Sequence, residues 1–210
     1  MTLSPVWPMN SPGKPERKIG VSGKNWSNIS AHTKNCTNWL HEVRLYRLRD
    51  HDELCSIVNT VCAEGMMRTP RFEPTPAWEH ALSQPDCSCH LLLVALSGER
   101  IVGWCRLFPT SEEEAELGIG LLASARGQGL GAQMLVQAIA WAQERGLSRL
   151  VLTTRSDNHQ AMKLFSEYGF RPTGWGEDEW IEMALELPSS KQGAGCEPSL
   201  CYLFHSTFSR

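Results

Sequence analysis

A mixed α/β domain built round one sheet is the fold class this sequence predicts, and three observations carry the expectation. Short apolar runs bounded by turn residues recur between residues 43 and 121, as strands do. Two longer stretches further on carry apolar residues at helical spacing. In the second half those helices alternate with strands, the order of a layered α/β architecture. A chain of 210 residues can bury one real core and is short for two. Its 41% hydrophobic and 20% charged residues place it among ordinary globular proteins rather than membrane-spanning or disordered chains.

The elements follow in order. "VRLYRL" from Val43 alternates apolar and polar residues, as a half-buried strand does. In "DHDELCSIVNTVCAEG", Leu54, Ile57, Val58 and Val61 lie at helical spacing behind an Asp-rich start. "MMRTPRFEPTPAW" is a Pro-broken connection that leads into a short helix near Pro76. "HLLLVAL", "SGER" and "IVGWCRLF" read as a hairpin, and "AELGIGLL" as a third strand in that series. "GLGAQMLVQAIAWAQERG" presents Leu130, Met134, Leu135, Ala138, Ile139 and Ala142 on one face, with Gly146 as a stop. "RLVLTT" is a strand. "SDNHQAMKLFSEYGF" is a helix with Ala161, Leu164, Phe165 and Tyr168 on one stripe, and "WIEMALEL" is the last strand.

Three segments result: an arm over 1–41, a folded domain over 42–188 and a tail over 189–210. The arm is rich in Asn, Ser, Lys and Pro without apolar periodicity and is expected to be disordered or loosely attached. It carries five Lys/Arg against one Glu, a balance of +4 that leaves −7 for the rest of a chain whose net charge is −3. An acidic body argues against binding nucleic acid through phosphate neutralisation. No run approaches the roughly 20 apolar residues of a membrane span, and the first residues lack the apolar core of a secretion signal. The expectation is therefore a cytoplasmic protein. Its eight cysteines are then expected as reduced thiols, and the sequons at Asn25, Asn28 and Asn35 as accidents of composition. The apolar island "LCYLF" of the tail either docks on the body or stays exposed. "CSCH" at 87–90 invites a metal reading, but structural zinc takes four ligands and no second pair follows, so a strand-edge turn without metal is expected.

The chemistry concentrates in "ARGQGLGA", Ala125 to Ala132, which puts three glycines on alternate positions at the mouth of the longest apolar pattern. A helix N-terminus exposes unpaired N–H groups and a partial positive charge, and glycines let a phosphate approach them. A plain strand-to-helix turn needs fewer. Gly127, Gly129 and Ala132 also satisfy the dinucleotide fingerprint G-x-G-x-x-A, in a poor context. "ASAR" separates the preceding strand from the first glycine, and "RLVLTT" ends on Arg155 where that reading wants an acid. The lysine of a nucleoside triphosphate loop is missing.

"RGQGLG" resembles the [Q/R]-x-x-G-x-[G/A] signature of the GNAT superfamily of acyl-CoA-dependent N-acyltransferases. "RLVLTTRSDNHQAMKLFSEYGF" is similar to that family's strand followed by A-x-N-x-x-A-x-x-L-Y-x-x-x-G-F, with Ser156 in place of the first alanine. The likeness runs from about Val43 to Leu187. It implies a GNAT-like, mostly antiparallel sheet with helices on both faces, and splayed strands that form a coenzyme A cleft. The pantetheine of acetyl-CoA is expected to pair with Ile119, Gly120 and Leu121. The diphosphate is expected on the amides of Arg126, Gly127, Gln128, Gly129, Leu130, Gly131 and Ala132, with Arg126 as a nearby cation. Asn158 matches the family asparagine that holds the cofactor arm, and an N-cap is its plainer reading.

The implied reaction is attack of a neutral amine on a thioester. An aliphatic amine has a pKa near ~10, so only about one molecule in a thousand is neutral at pH 7 and a base is useful. Here the chain departs from the resemblance. Phe165 stands where the family's proton-donating tyrosine is often found, and Thr153 where some members carry a base. Tyr168 and Glu116 are the remaining catalytic candidates; against them stand a core tyrosine and a solvent-facing carboxylate. Acceptor contacts are expected from Met66, Met67, Arg68, Arg71, Phe72 and Trp78 after the first helix, and from Trp175, Glu177, Asp178 and Glu179 near the last strands. Aromatic and acidic walls suit a cationic amine, whereas Arg68 and Arg71 could clamp a carboxylate. The expected function is N-acetyl transfer to a small-molecule or peptide amine, with a homodimer among the assemblies allowed and no nucleic acid, membrane or metal involved. A non-catalytic acyl-CoA-binding sensor is the alternative, and a dinucleotide oxidoreductase a distant third.

Overall fold

The computed structural model describes residues 41–176 and 178–188. The tail, the sequons, Glu177 and all of the proposed arm except His41 lie outside the described residues. One seven-stranded sheet organises the rest: β1 (His41–Leu45), β2 (Leu91–Ser97), β3 (Arg100–Pro109), β4 (Glu114–Leu121), β5 (Arg149–Arg155), β6 (Arg171–Trp175) and β7 (Trp180–Glu186). The strands lie in the order β1-β2-β3-β4-β5-β7-β6, and only the β4–β5 neighbours are parallel. Four helices complete the domain: α1 (His51–Ala63), α2 (Pro76–Ser83), α3 (Leu130–Glu144) and α4 (His159–Glu167). The mixed, mostly antiparallel sheet is the architecture expected. β1 starts at His41, earlier than the alternation from Val43 suggests.

The run "LLLVAL" is apolar at every position because β2 is covered on both faces. Leu91, Leu93 and Ala95 join α3 and α4 in one core. Leu92, Val94 and Leu96 join α1, α2, Trp104 and Phe108 in the other. Helices therefore lie on both faces, and side chains of alternate strand positions separate into the two cores. The turn into α1 is clamped by Arg44, whose two terminal nitrogens donate to Asp50 at 2.6 and 2.9 Å. The Tyr46 hydroxyl donates to Leu82 O at 3.2 Å, fixing the end of α2 against the β1 margin.

β6 was not legible in the sequence. "RPTGW" is an exposed edge with a register irregularity between Pro172 and Gly174, so it lacks the apolar alternation that marks a strand. It exists because β7 offers it a pairing edge. No helix among the described residues is long and apolar enough to cross a membrane.

Candidate active site

β4 and β5 meet side by side at only three positions, Glu114–Arg149, Ala115–Leu150 and Glu116–Val151. Beyond Glu116 the two strands part, while β4 stays paired to β3 as far as Leu121 and β5 stays paired to β7 as far as Arg155. Charges fasten the closed end: Arg149 reaches Glu114 at 2.9 Å and Glu186 at 3.2 Å. Among the described residues, the facing edges of Leu117–Leu121 and Leu152–Arg155 thus carry backbone groups with no strand between them. Such a gap accepts an extended chain that brings its own amides.

The open end of β4 runs into a short helical turn (Ala123–Ala125) and then the glycine loop. Gly129 is the N-cap of α3 with φ +83°, and Gly127 has φ +74°, backbone settings that side chains with a Cβ adopt at a cost. The first intrahelical bond of α3 runs from Gln133 N to Gly129 O, 3.0 Å. The amides of Leu130, Gly131 and Ala132 precede it, so they point out of the helix end together with its positive dipole. Gly127, Gln128 and Gly129 are exposed, and α3 is fifteen residues long, enough for a developed dipole. The loop has the form of an anion cradle. Arg126 is engaged within it: its Nε donates to Leu121 O at 3.0 Å, and its guanidinium pairs with Glu64 at the end of α1.

The gap opens at Glu116, the last β4 residue paired to β5. Its side chain is half exposed and accepts from Arg106 at 2.7 Å. Arg106 is nearly enclosed, lying 4.7 Å over the Phe108 ring and 5.7 Å over Trp78. Gly118 and Gly120 follow on the same face. A Cβ on Gly118 would come within 2.7 Å of Arg106 Nε, and one on Gly120 would collide with the Trp104 ring. Both glycines therefore make room for side chains of β3.

At α4, Asn158 is the N-cap, and its Oδ1 accepts from Ala161 N at 3.2 Å. Phe165 is buried with its ring 5.7 Å from that of Phe170. Tyr168 sits at the opposite end of the helix, about 15 Å from Asn158 along the axis, packed against the core. Thr153 is half-buried in β5 opposite Glu182. Of the expected acceptor residues, Phe72 and Trp78 stack edge to face at 5.0 Å and belong, with Met67, to the second core. Met66, Arg68 and Arg71 are exposed. Across the gap Trp175 is 76% exposed, and Glu179 is drawn to Arg155 at 3.3 Å, beside the Arg155–Asp157 pair at 2.7 Å. Arg106 was absent from the sequence-level candidates, because its role depends on a cross-strand neighbour that spacing along the chain does not show.

A separate constellation lies where α2 leads into β2. Ligand-type atoms of His80, Cys87, Cys89 and His90 all fall within 4.8 Å of one another. His90 is buried, and burial with His80 nearby pushes its imidazole down to about 4, so the ring is neutral.

The sequence model of the acetyltransferase (GNAT) family matches residues 45–170. A mycothiol acetyltransferase of Arthrobacter sp. (strain FB24) is 36% identical over 99 residues, 44% of this chain and 30% of that protein. A second, from Jonesia denitrificans, is 32% identical over 85 residues, covering 40% and 27% of the two chains. The match spans less than a third of these relatives' length. Among solved structures, YncA of Salmonella typhimurium, determined with its cofactor acetyl-CoA, superposes with a TM-score of 0.64 at 17% identity, covering 75% of this chain and 99% of that one. A ribosomal-protein-alanine N-acetyltransferase of Brucella melitensis gives 0.61 at 20% identity, over 70% and 99% of the two chains.

Proposed function

The chain belongs to the acetyltransferase (GNAT) family, and we propose that it transfers the acetyl group of acetyl-CoA to a primary amine by direct attack in a ternary complex. The observation that carries this reading is the parting of β4 from β5 after Glu116, with a glycine-lined helix end at its mouth. Three features support a fit to acetyl-CoA. Main-chain groups of Ile119, Gly120 and Leu121 line an unpaired strand edge, suited to the amides of a pantetheine arm. The amides of Gly127 to Ala132 suit a diphosphate. Asn158 caps α4 through Oδ1, which leaves its Nδ2 to donate to the arm.

Arg126 contributes by holding the loop, through Leu121 O and Glu64, more than as an open phosphate ligand. The amine enters on the face of Glu116, beside the Arg106 and Trp104 side chains that fill the space over Gly118 and Gly120. Glu116 accepts the amine's proton, directly or through water. A main-chain N–H near Leu121 stabilises the developing oxyanion. Tyr168, a helix length from Asn158, serves packing, and the leaving thiolate draws its proton from solvent.

The acceptor class is a small amine, an amino acid or a peptide amine. The acidic loop at Asp178 and Glu179 favours a cationic acceptor over a carboxylate-bearing one. The curated relatives, named as mycothiol acetyltransferases, support acyl transfer to a small-molecule acceptor within that class.

Thermal shift with coenzyme A and acetyl-CoA, followed by thiol release against amines, amino acids and peptides, tests the proposal. Stabilisation with acceptor-dependent thiol release is expected. Failure of coenzyme A to bind overturns it, and binding without release above hydrolysis indicates a non-catalytic acyl-CoA module instead.

A further inference from the structure

We propose that His80, Cys87, Cys89 and His90 form a structural zinc site that ties the last turn of α2 to the start of β2. The donor set, two thiols and two imidazoles, is that of closed tetrahedral zinc centres. His80 belongs to α2, and the other three sit on the connection that ends where β2 begins at Leu91. His80 Nε2 lies 3.3 Å from Cys89 Sγ, and His90 Nδ1 lies 3.5 Å from the same sulfur. Zn–N bonds of about 2.0 Å and Zn–S bonds of about 2.3 Å imply ligand-to-ligand edges of roughly 3.3–3.8 Å, so both separations already match. Cys87 Sγ and Cys89 Sγ stand 2.6 Å apart and need to open by about 1 Å to reach that edge.

Two further observations fit the site. His90 is 7% exposed, and its ring turns Nδ1 to Cys89, while among the described residues its buried Nε2 has no hydrogen-bond partner. A zinc histidine bound through Nδ1 leaves Nε2 for a water. The amide of Cys89 donates to Cys87 Sγ at 3.4 Å, the kind of contact that steadies a metal-bound thiolate. Four protein ligands close the coordination sphere, so the ion holds structure and takes no part in acyl transfer. The inference does not depend on the proposed reaction.

The position gives the ion a purpose. Trp78 lies on α2 two residues before His80 and packs at 5.4 Å against Phe108, which lies 6.3 Å from His90. Pinning α2 to β2 fixes the aromatic wall on which Arg106, and through it Glu116, rests. Sequence spacing concealed the site because the fourth ligand lies on the preceding helix, seven residues before Cys87.

The test uses the full chain, purified under reducing conditions. Elemental analysis is expected to find roughly one zinc per chain. Cobalt added to the chelator-stripped protein is expected to give the visible bands and thiolate charge transfer of a tetrahedral two-sulfur site. The double variant Cys87→Ser, Cys89→Ser is expected to lose at least roughly ten-fold of the bound metal, and a chelator to lower the melting temperature of the wild type alone. If the variant fails to fold, the cobalt spectrum of the wild type decides. Background metal with no cobalt spectrum overturns the site. So do metal retained in the folded double variant and a Cys87–Cys89 disulfide found by mass spectrometry in the reduced preparation.

Discussion

Arg106 and Glu116 form a cross-strand ion pair at 2.7 Å, one member nearly enclosed between aromatic rings and the other half exposed at the point where β4 leaves β5. The pair fixes a carboxylate at the apex of the gap. Glu116→Gln is expected to lower kcat about 100-fold, at the low end of what a general base contributes, with the acetyl-CoA KM little changed. Steady-state thiol release checks it. Unchanged turnover would assign the carboxylate to the ion pair alone.

Tyr168→Phe is expected to keep kcat within about two-fold, since tyrosine hydroxyls at packing positions carry no proton-transfer term of the order of 100-fold. The same assay, run over pH, reads it. A ten-fold loss would return Tyr168 to the reaction.

Gly129→Ala forces a Cβ into φ +83° at the N-cap of α3, where no atom of the described residues obstructs it. The cost is conformational, about 1–2 kcal/mol in urea unfolding, with a weaker hold on coenzyme A because the cradle shifts. Calorimetric titration measures the second effect.

Asp50 accepts from both terminal nitrogens of Arg44, and that hydrogen bonding holds its carboxyl below the ordinary range against the opposing effect of burial. A depressed folded pKa stabilises fully above the unfolded value, near 3.9, and the contribution disappears as pH falls through the folded value. Asp50→Asn is therefore expected to cost about 2 kcal/mol at pH 7, with the difference from the wild type shrinking below about pH 4. Urea unfolding at the two pH values checks both parts.

Cys105 is buried on β3, and desolvation pushes its thiol up to about 12. Native protein at pH 8 is expected to leave Cys105 unmodified by iodoacetamide while urea-unfolded protein reacts, as peptide mapping would show. Above about pH 9 an unfolded chain ionises this thiol and the folded one does not, so its contribution to stability falls as pH rises.

The strands and helices that carry the site were legible because each imposes a period. β2 reads as a continuous apolar run, α3 as a stripe ending near Gly146, and α4 as a capped stripe behind Asn158. The glycines at 127 and 129 announced a turn that few other residues tolerate, and the structure puts them at the start of α3. β6 stayed hidden, as an exposed edge needs no apolar alternation.

By itself the sequence determined the order of the elements other than β6 and the place of the glycine loop at the start of α3, both of which follow from local periodicity and backbone freedom. Tertiary structure alone decided which side chains meet. Arg106 reaches Glu116 only across a β3–β4 register, Arg126 is occupied by Glu64 from a helix 62 residues earlier, and His80 joins the cysteines through the end of α2. The physical reason is that periodicity places a side chain on a face. The separation between two faces is set by packing and register, which no local stretch of chain contains.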